Sequence, residues 1–136
     1  MVGTYTYDER NRVAFLAVGA VAGAFVRYKM AESPLILGTL PVTILLVNVA
    51  GSFILGMFSI LAVMWNLDSR YSLLIAMGFC GSLTTMSSFA LETTSMIDNR
   101  PFGNVALNIL ANIGLSIGAV MGGRSFAGLV IKGGLD

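Results

Sequence analysis

The chain has 136 residues, of which 56% are hydrophobic and only 11% charged, and its mean hydropathy is +0.84. A soluble domain carries roughly 25% charged residues, so this chain lacks the polar surface to cover itself in water, and an integral membrane protein is expected. A net charge of +1 gives no basic surface for nucleic acid, and the lack of histidine with a single cysteine, Cys80, argues against a His/Cys metal site and excludes an intrachain disulfide.

Met1–Arg12 is polar and mixed in charge. The apolar stretch after it runs too long for a signal peptide and no small-residue cleavage site follows, so a retained helix is expected from Val13. Spans are placed where about 20 residues run without charge. The first covers about 13–28 and ends at Arg27 and Lys29, whose long stems can snorkel to the interface. Its Gly19 and Gly23 form a G-x-x-x-G pair suited to close helix packing. The second, about 39–65, has Pro41 near its start, where a missing N–H is harmless, and Trp65 as an interface anchor at its far end. The third covers about 71–97, with Glu92 near one end and Cys80 as a small buried hydrophobe. The fourth, about 102–122, follows Pro101, and the Gly-rich tail 124–136 is expected to be short helix or coil. The expected fold is one all-α membrane domain over 1–136, with four transmembrane helices and the third broken in mid-membrane.

An even number of spans puts both termini on one side. Arg10, Arg12, Arg70, Arg124 and Lys132 then face Arg27, Lys29 and Arg100 across the membrane. This is a weak bias under the positive-inside rule, compatible with insertion in both orientations or with a mild preference for one. Four helices enclose little space, and sixteen glycines allow close helix approach, so self-association is expected.

Hydrocarbon cannot hydrogen-bond a backbone, so polar sequence at membrane depth packs against protein or lines a watery path. The densest such run is Gly81-Ser82-Leu83-Thr84-Thr85-Met86-Ser87-Ser88-Phe89. Gly81 weakens the helix, and Thr84, Thr85, Ser87 and Ser88 carry hydroxyls that can replace water around an ion; carbonyls freed at a helix break can bind a cation. Met86 and Phe89 share a face at i and i+3, which Glu92 extends, and a ring edge attracts anions. In the second span Asn48 offers amide donors to an anion or to a neighbouring helix. Asn108, Asn112 and Ser116 form one polar stripe on the fourth, which either lines the same path or bonds across a helix interface. No nucleophile with a base, metal cluster or phosphate loop points to an enzyme.

The segments Gly19-Ala20-Val21-Ala22-Gly23-Ala24-Phe25-Val26-Arg27-Tyr28, Val47-Asn48-Val49-Ala50-Gly51-Ser52-Phe53, and Gly78-Phe79-Cys80-Gly81 through Phe89-Ala90-Leu91-Glu92-Thr93 carry a resemblance over nearly the whole chain. They resemble the Gly-rich helix ending in Arg-Tyr, the V-N-x-x-G-S-F motif and the long G-F-C-G-G-x-T-T-F-S-T-F-S-x-E-T motif of the small fluoride channels called Fluc or CrcB. The resemblance implies an antiparallel homodimer in the cell membrane, with two narrow pores that export toxic fluoride passively. It implies a central structural sodium ion held by the carbonyls of Gly81 and Thr84 from each subunit. Fluoride contacts are implied for Asn48, Phe89, Ser87 and Ser88, with Thr85, Met86 and Ser116 along the pore. Arg27 matches an Arg that draws anions in, and Glu92 a vestibule Glu. The chain departs from the pattern at Met86, where the family usually has the first of two Phe rings, at Ile44, where Thr is expected, and in lacking a Tyr on the fourth helix. One account of these departures is pairing with a paralogous subunit. The rival readings are a small dimeric proton-coupled multidrug-type transporter, which needs a carboxylate that the first span lacks between Val13 and Val26, and a non-conducting membrane subunit.

Overall fold

The computed structural model describes residues 2–38 and 40–133, with side chains from residue 8 onward. Four helical stretches are long and apolar enough to cross a membrane: Asp8–Glu32, Thr43–Met64, Ser69–Asn99 and Phe102–Gly133. The all-α membrane architecture expected from the sequence is therefore present.

Helix α1 (Val2–Glu32) starts well before the first apolar run. Its polar first turns contain no proline, so nothing in them stops a helix from running on past the hydrocarbon. A two-stranded hairpin, β1 (Ile36–Leu37) with β2 (Leu40–Pro41), then links α1 to α2. It turns at Gly38, whose φ of +62° is open to glycine and strained for other residues. Pro41 thus lies in β2, two residues ahead of α2 (Thr43–Met64). Helix α2 carries no charge over its 22 residues, and at 1.5 Å per residue it is about 33 Å long, close to the hydrocarbon thickness.

The third span is composite. Asp68 caps α3 (Ser69–Ser72) by accepting from the Arg70 N–H at 2.8 Å, and pairs with Arg70 Nε at 2.9 Å. These hydrogen bonds from Arg70 hold the Asp68 carboxyl below its usual range. A π-helical segment, Leu73–Cys80, follows, then α4 (Gly81–Leu83), an extended pair Thr84–Thr85, and α5 (Met86–Asn99). The break expected in mid-membrane, at Gly81 and Thr84, is real, although Gly81 itself is helical at φ −64°, ψ −29°. The break falls at Thr84 (ψ 150°) and Thr85 (φ −150°, ψ 112°). Helix α6 (Phe102–Gly133) follows Pro101 and runs through most of the stretch expected as a short tail. Ala127 there is 1% exposed and Phe126 meets Phe53 of α2, so the extension is packed rather than loose. Residues 134–136 of that tail, Met1 and Thr39 lie outside the described residues.

Two pairings make the body: α2 along α6, and α1 along the π segment and α4. Glycine sets both. A Cβ at Gly19 or Gly23 would collide with the carbonyl oxygens of Leu74 and Phe79, and one at Gly56 or Gly123 with those of Val120 and Phe53. Backbone meets backbone at these points, which is how helices associate where hydrocarbon gives no hydrophobic drive. The buried core is thin, with Val47, Phe58, Leu83, Phe89, Met96 and Val105, while large apolar side chains cover much of the outside.

Candidate functional site

The break in the third span turns the backbone N–H groups of Thr85 and Ser88 to side chains. Thr84 N–H and Thr84 Oγ1 both donate to the Cys80 carbonyl, at 3.0 and 2.9 Å. Thr85 N–H, which would serve the Gly81 carbonyl in an unbroken helix, donates to Asn48 Oδ1 at 2.8 Å. Thr85 Oγ1 then caps α5, accepting from Ser88 N–H at 3.1 Å and donating to Ser88 Oγ at 3.0 Å, with Ser87 Oγ at 3.3 Å. An unbroken helix would have sent Ser88 N–H to the Thr84 carbonyl. The carbonyls of Gly81 and Thr84 therefore both lose their usual partners to side chains.

Asn48 sits opposite, on α2, and its Nδ2 donates to Asn112 Oδ1 of α6 at 3.2 Å. Asn112 in turn donates to the carbonyl and to Oδ1 of Asn108, at 3.2 and 3.1 Å. Asn108 Nδ2 reaches Thr93 Oγ1 at 3.3 Å and Glu92 Oε1 at 3.4 Å, both on α5. Three helices are thus tied by amides at membrane depth, where each unmade bond would be costly.

Beside this network runs a groove of about 330 Å³, open along one side. Asn48, Ser52, Thr84, Thr85, Asn112 and Ser116 supply its polar wall, and Leu55, Met86, Phe89, Ile113 and Ile117 its apolar one. Among the described residues no charged side chain lines it. Neutral amide and hydroxyl groups can take over part of an ion's hydration without holding it as a fixed opposite charge would. The N-terminus of α5 opens at the same point, and a helix N-terminus favours an anion.

The residues singled out in the sequence fall into three groups. Asn48, Thr84, Thr85, Met86, Phe89 and Ser116 line the groove, with Phe89 buried and Met86 72% exposed. Ser87, Ser88 and Glu92 stand behind it: the two serines bond Thr85, and Glu92 accepts from Asn108. Gly81 and Arg27 are outside the lining. Arg27 is half-buried on α1 and has no hydrogen bond or ion pair among the described residues. The two readings of the fourth-span stripe divide along its length. Asn108 bonds across a helix interface, Ser116 lines the groove, and Asn112 does both. Sequence spacing placed the three on one face but could not show which neighbour that face meets. Ser52 and Leu55 were not expected in the lining; they follow Asn48 on its own face of α2, at i+4 and i+7.

The family described as CrcB-like protein, Camphor Resistance (CrcB), matches residues 14–124. The chain is 59% identical over 118 residues to a protein of Nitrosopumilus maritimus named fluoride-specific ion channel FluC, covering 87% of this chain and 94% of that one. A protein of the same name from a Sulfurihydrogenibium species is 43% identical over 119 residues, with 85% and 92% covered. One from Methanococcus maripaludis is 34% identical over 114, with 84% and 93% covered. The family match runs from the first span into the last and takes in the break and both helices that face it, so the chain belongs to the CrcB family and is a multi-pass membrane protein.

Proposed function

We propose that this chain forms a fluoride-selective channel through which toxic fluoride leaves the cell down its gradient. The observation that carries the reading is the fixed direction of Asn48. Thr85 N–H holds its oxygen, so its nitrogen is the end left for the groove, and that nitrogen has only donors to offer. The relatives' names point to the same ion. Fluoride is small and strongly hydrated, and a path for it must replace water with donors that bind weakly enough to let it go. The Asn48 amide, the Ser116 hydroxyl and the Phe89 ring edge are such a set, while the Thr85 proton is held by Ser88.

A groove open along one side needs a cover, and a second copy in the opposite orientation supplies one, giving two pores per dimer. The carbonyls of Gly81 and Thr84 fit a sodium ion at the centre of that dimer, because both have lost their helical partners. When bound, the ion's fixed charge offsets that of passing anions. The exposed Met86 favours a second reading, in which the partner is a paralogous subunit that completes the ring set. A proton-coupled transporter is disfavoured by the absence of any carboxylate between Val13 and Val26.

Fluoride efflux from liposomes, followed by electrode against chloride, tests the proposal. The chain alone is expected to release fluoride and retain chloride. Asn48→Asp should abolish the flux, since a fixed negative charge repels the anion. A flat trace from the unsubstituted chain sinks the homodimeric channel, and unchanged flux in Asn48→Asp removes Asn48 from the path.

A further inference from the structure

The three amides Asn48, Asn112 and Asn108 form a chain with one direction, enforced from both ends. Thr85 N–H can only donate, so it takes Asn48 Oδ1 and turns Nδ2 toward Asn112 Oδ1. The main-chain carbonyl of Asn108 can only accept, so it takes Asn112 Nδ2, which also reaches Asn108 Oδ1. Asn108 is left with its nitrogen forward, onto Thr93 Oγ1 and Glu92 Oε1. Flipping any one amide would set N–H against N–H and oxygen against oxygen at its contacts. Asn108 is 3% exposed and lies outside the groove, so water is not at hand there to repair the loss.

We infer that Asn108 and Asn112 are positioning residues that hold the Asn48 amide in one orientation, with one N–H spent on Asn112 and the other left for the passing anion. Asn112 also borders the groove, whereas Asn108 does not and acts only through Asn112. The relay locks Asn48 from a different helix, so the donor keeps its direction while anions pass. The inference rests on the channel reading for its purpose, though not for its geometry.

The test uses the full chain, labelled with ¹⁵N at asparagine, in Asn108→Leu and Asn108→Ser forms. The Asn48 side-chain NH₂ pair is assigned by its loss in Asn48→Ser. Neither position-108 variant alters a group that touches Asn48; each keeps the main-chain carbonyl but removes the Oδ1 acceptor of Asn112, and with Asn112 held by one bond instead of two the Asn48 pair is expected to shift and to exchange faster with water. Fluoride efflux is expected to fall about tenfold, the scale of one lost buried hydrogen bond, and discrimination against chloride should weaken. An Asn48 pair that stays in place in either variant, with the backbone spectrum unchanged, overturns the relay whatever the flux does. If the unsubstituted chain passes no fluoride while the Asn48 pair still moves in the variants, the channel reading falls and the positioning role stands.

Discussion

Thr85 turns the third span from a helix into a site. Its backbone N–H leaves the helical ladder for Asn48, and its hydroxyl closes the first turn of α5 by accepting from Ser88 N–H. The two jobs separate in Thr85→Val, which keeps the backbone donor and the side-chain shape but loses the cap. Loss of an N-cap hydroxyl costs about 1 kcal/mol, within a range of roughly 0.5–2. Thr85→Val is therefore expected to lower the thermal unfolding midpoint of the detergent-solubilised protein, and Thr85→Ser to restore it. Equal midpoints for the native chain and Thr85→Val would mean that Ser88 finds another acceptor. The same residue shows why a run of hydroxyls reads ambiguously in a sequence. Among neighbours Thr84, Thr85, Ser87 and Ser88, one hydroxyl back-bonds to its own helix, one caps, and two support the cap.

At the scale of the elements, the join between α1 and the third span depends on Gly19 and Gly23, where a Cβ would strike the Leu74 and Phe79 carbonyl oxygens. A backbone atom cannot step aside as a flexible side chain can, so Gly19→Leu must push the helices apart. Overpacking of this kind typically costs about 1–3 kcal/mol. Gly103→Ala is the control, because nothing lies within 4 Å of its Cβ. Melting of both variants in detergent should show a large fall for Gly19→Leu and little change for Gly103→Ala. Similar melting of the two would remove the glycine contact as the cause. The Gly19–Gly23 pair was legible beforehand because i and i+4 spacing fixes a common face, and the four helices were legible from charge-free length. What resisted reading was anything set by the neighbours. The break spares Gly81 and centres on Thr84–Thr85 because Asn48, 37 residues earlier in the chain, competes for the Thr85 N–H. Helix α6 outruns its apolar run because Gly123 and Phe126 pack against α2.

At the scale of the whole molecule, a polar groove stands open on a body otherwise clad in apolar side chains such as Leu110 and Leu129, 70% and 69% exposed. Lipid cannot satisfy Asn48, Asn112 and Ser116, so the open side calls for protein. A copy of the same chain brings a matching groove, and the charge distribution permits it to lie in the opposite sense. The two ends of α1 show the near balance: Arg10 and Arg12 on one side, Arg27 and Lys29 on the other. Such a weak positive-inside bias leaves orientation undecided. Ser69 tests this, because it is exposed at the start of α3, on the side of the membrane that also holds the start of α1. In intact cells, an impermeant thiol reagent should label about half of the Ser69→Cys protein and reach the rest only after permeabilisation, as expected when neither orientation is favoured. The unsubstituted chain is the blank, since Cys80 is buried within the third span. Labelling of all the protein from outside, or of none, would show a single orientation. The groove would then have to be closed by a parallel copy or by a different subunit, and the proposed sodium site between Gly81 and Thr84 carbonyls of opposed chains would fall with it.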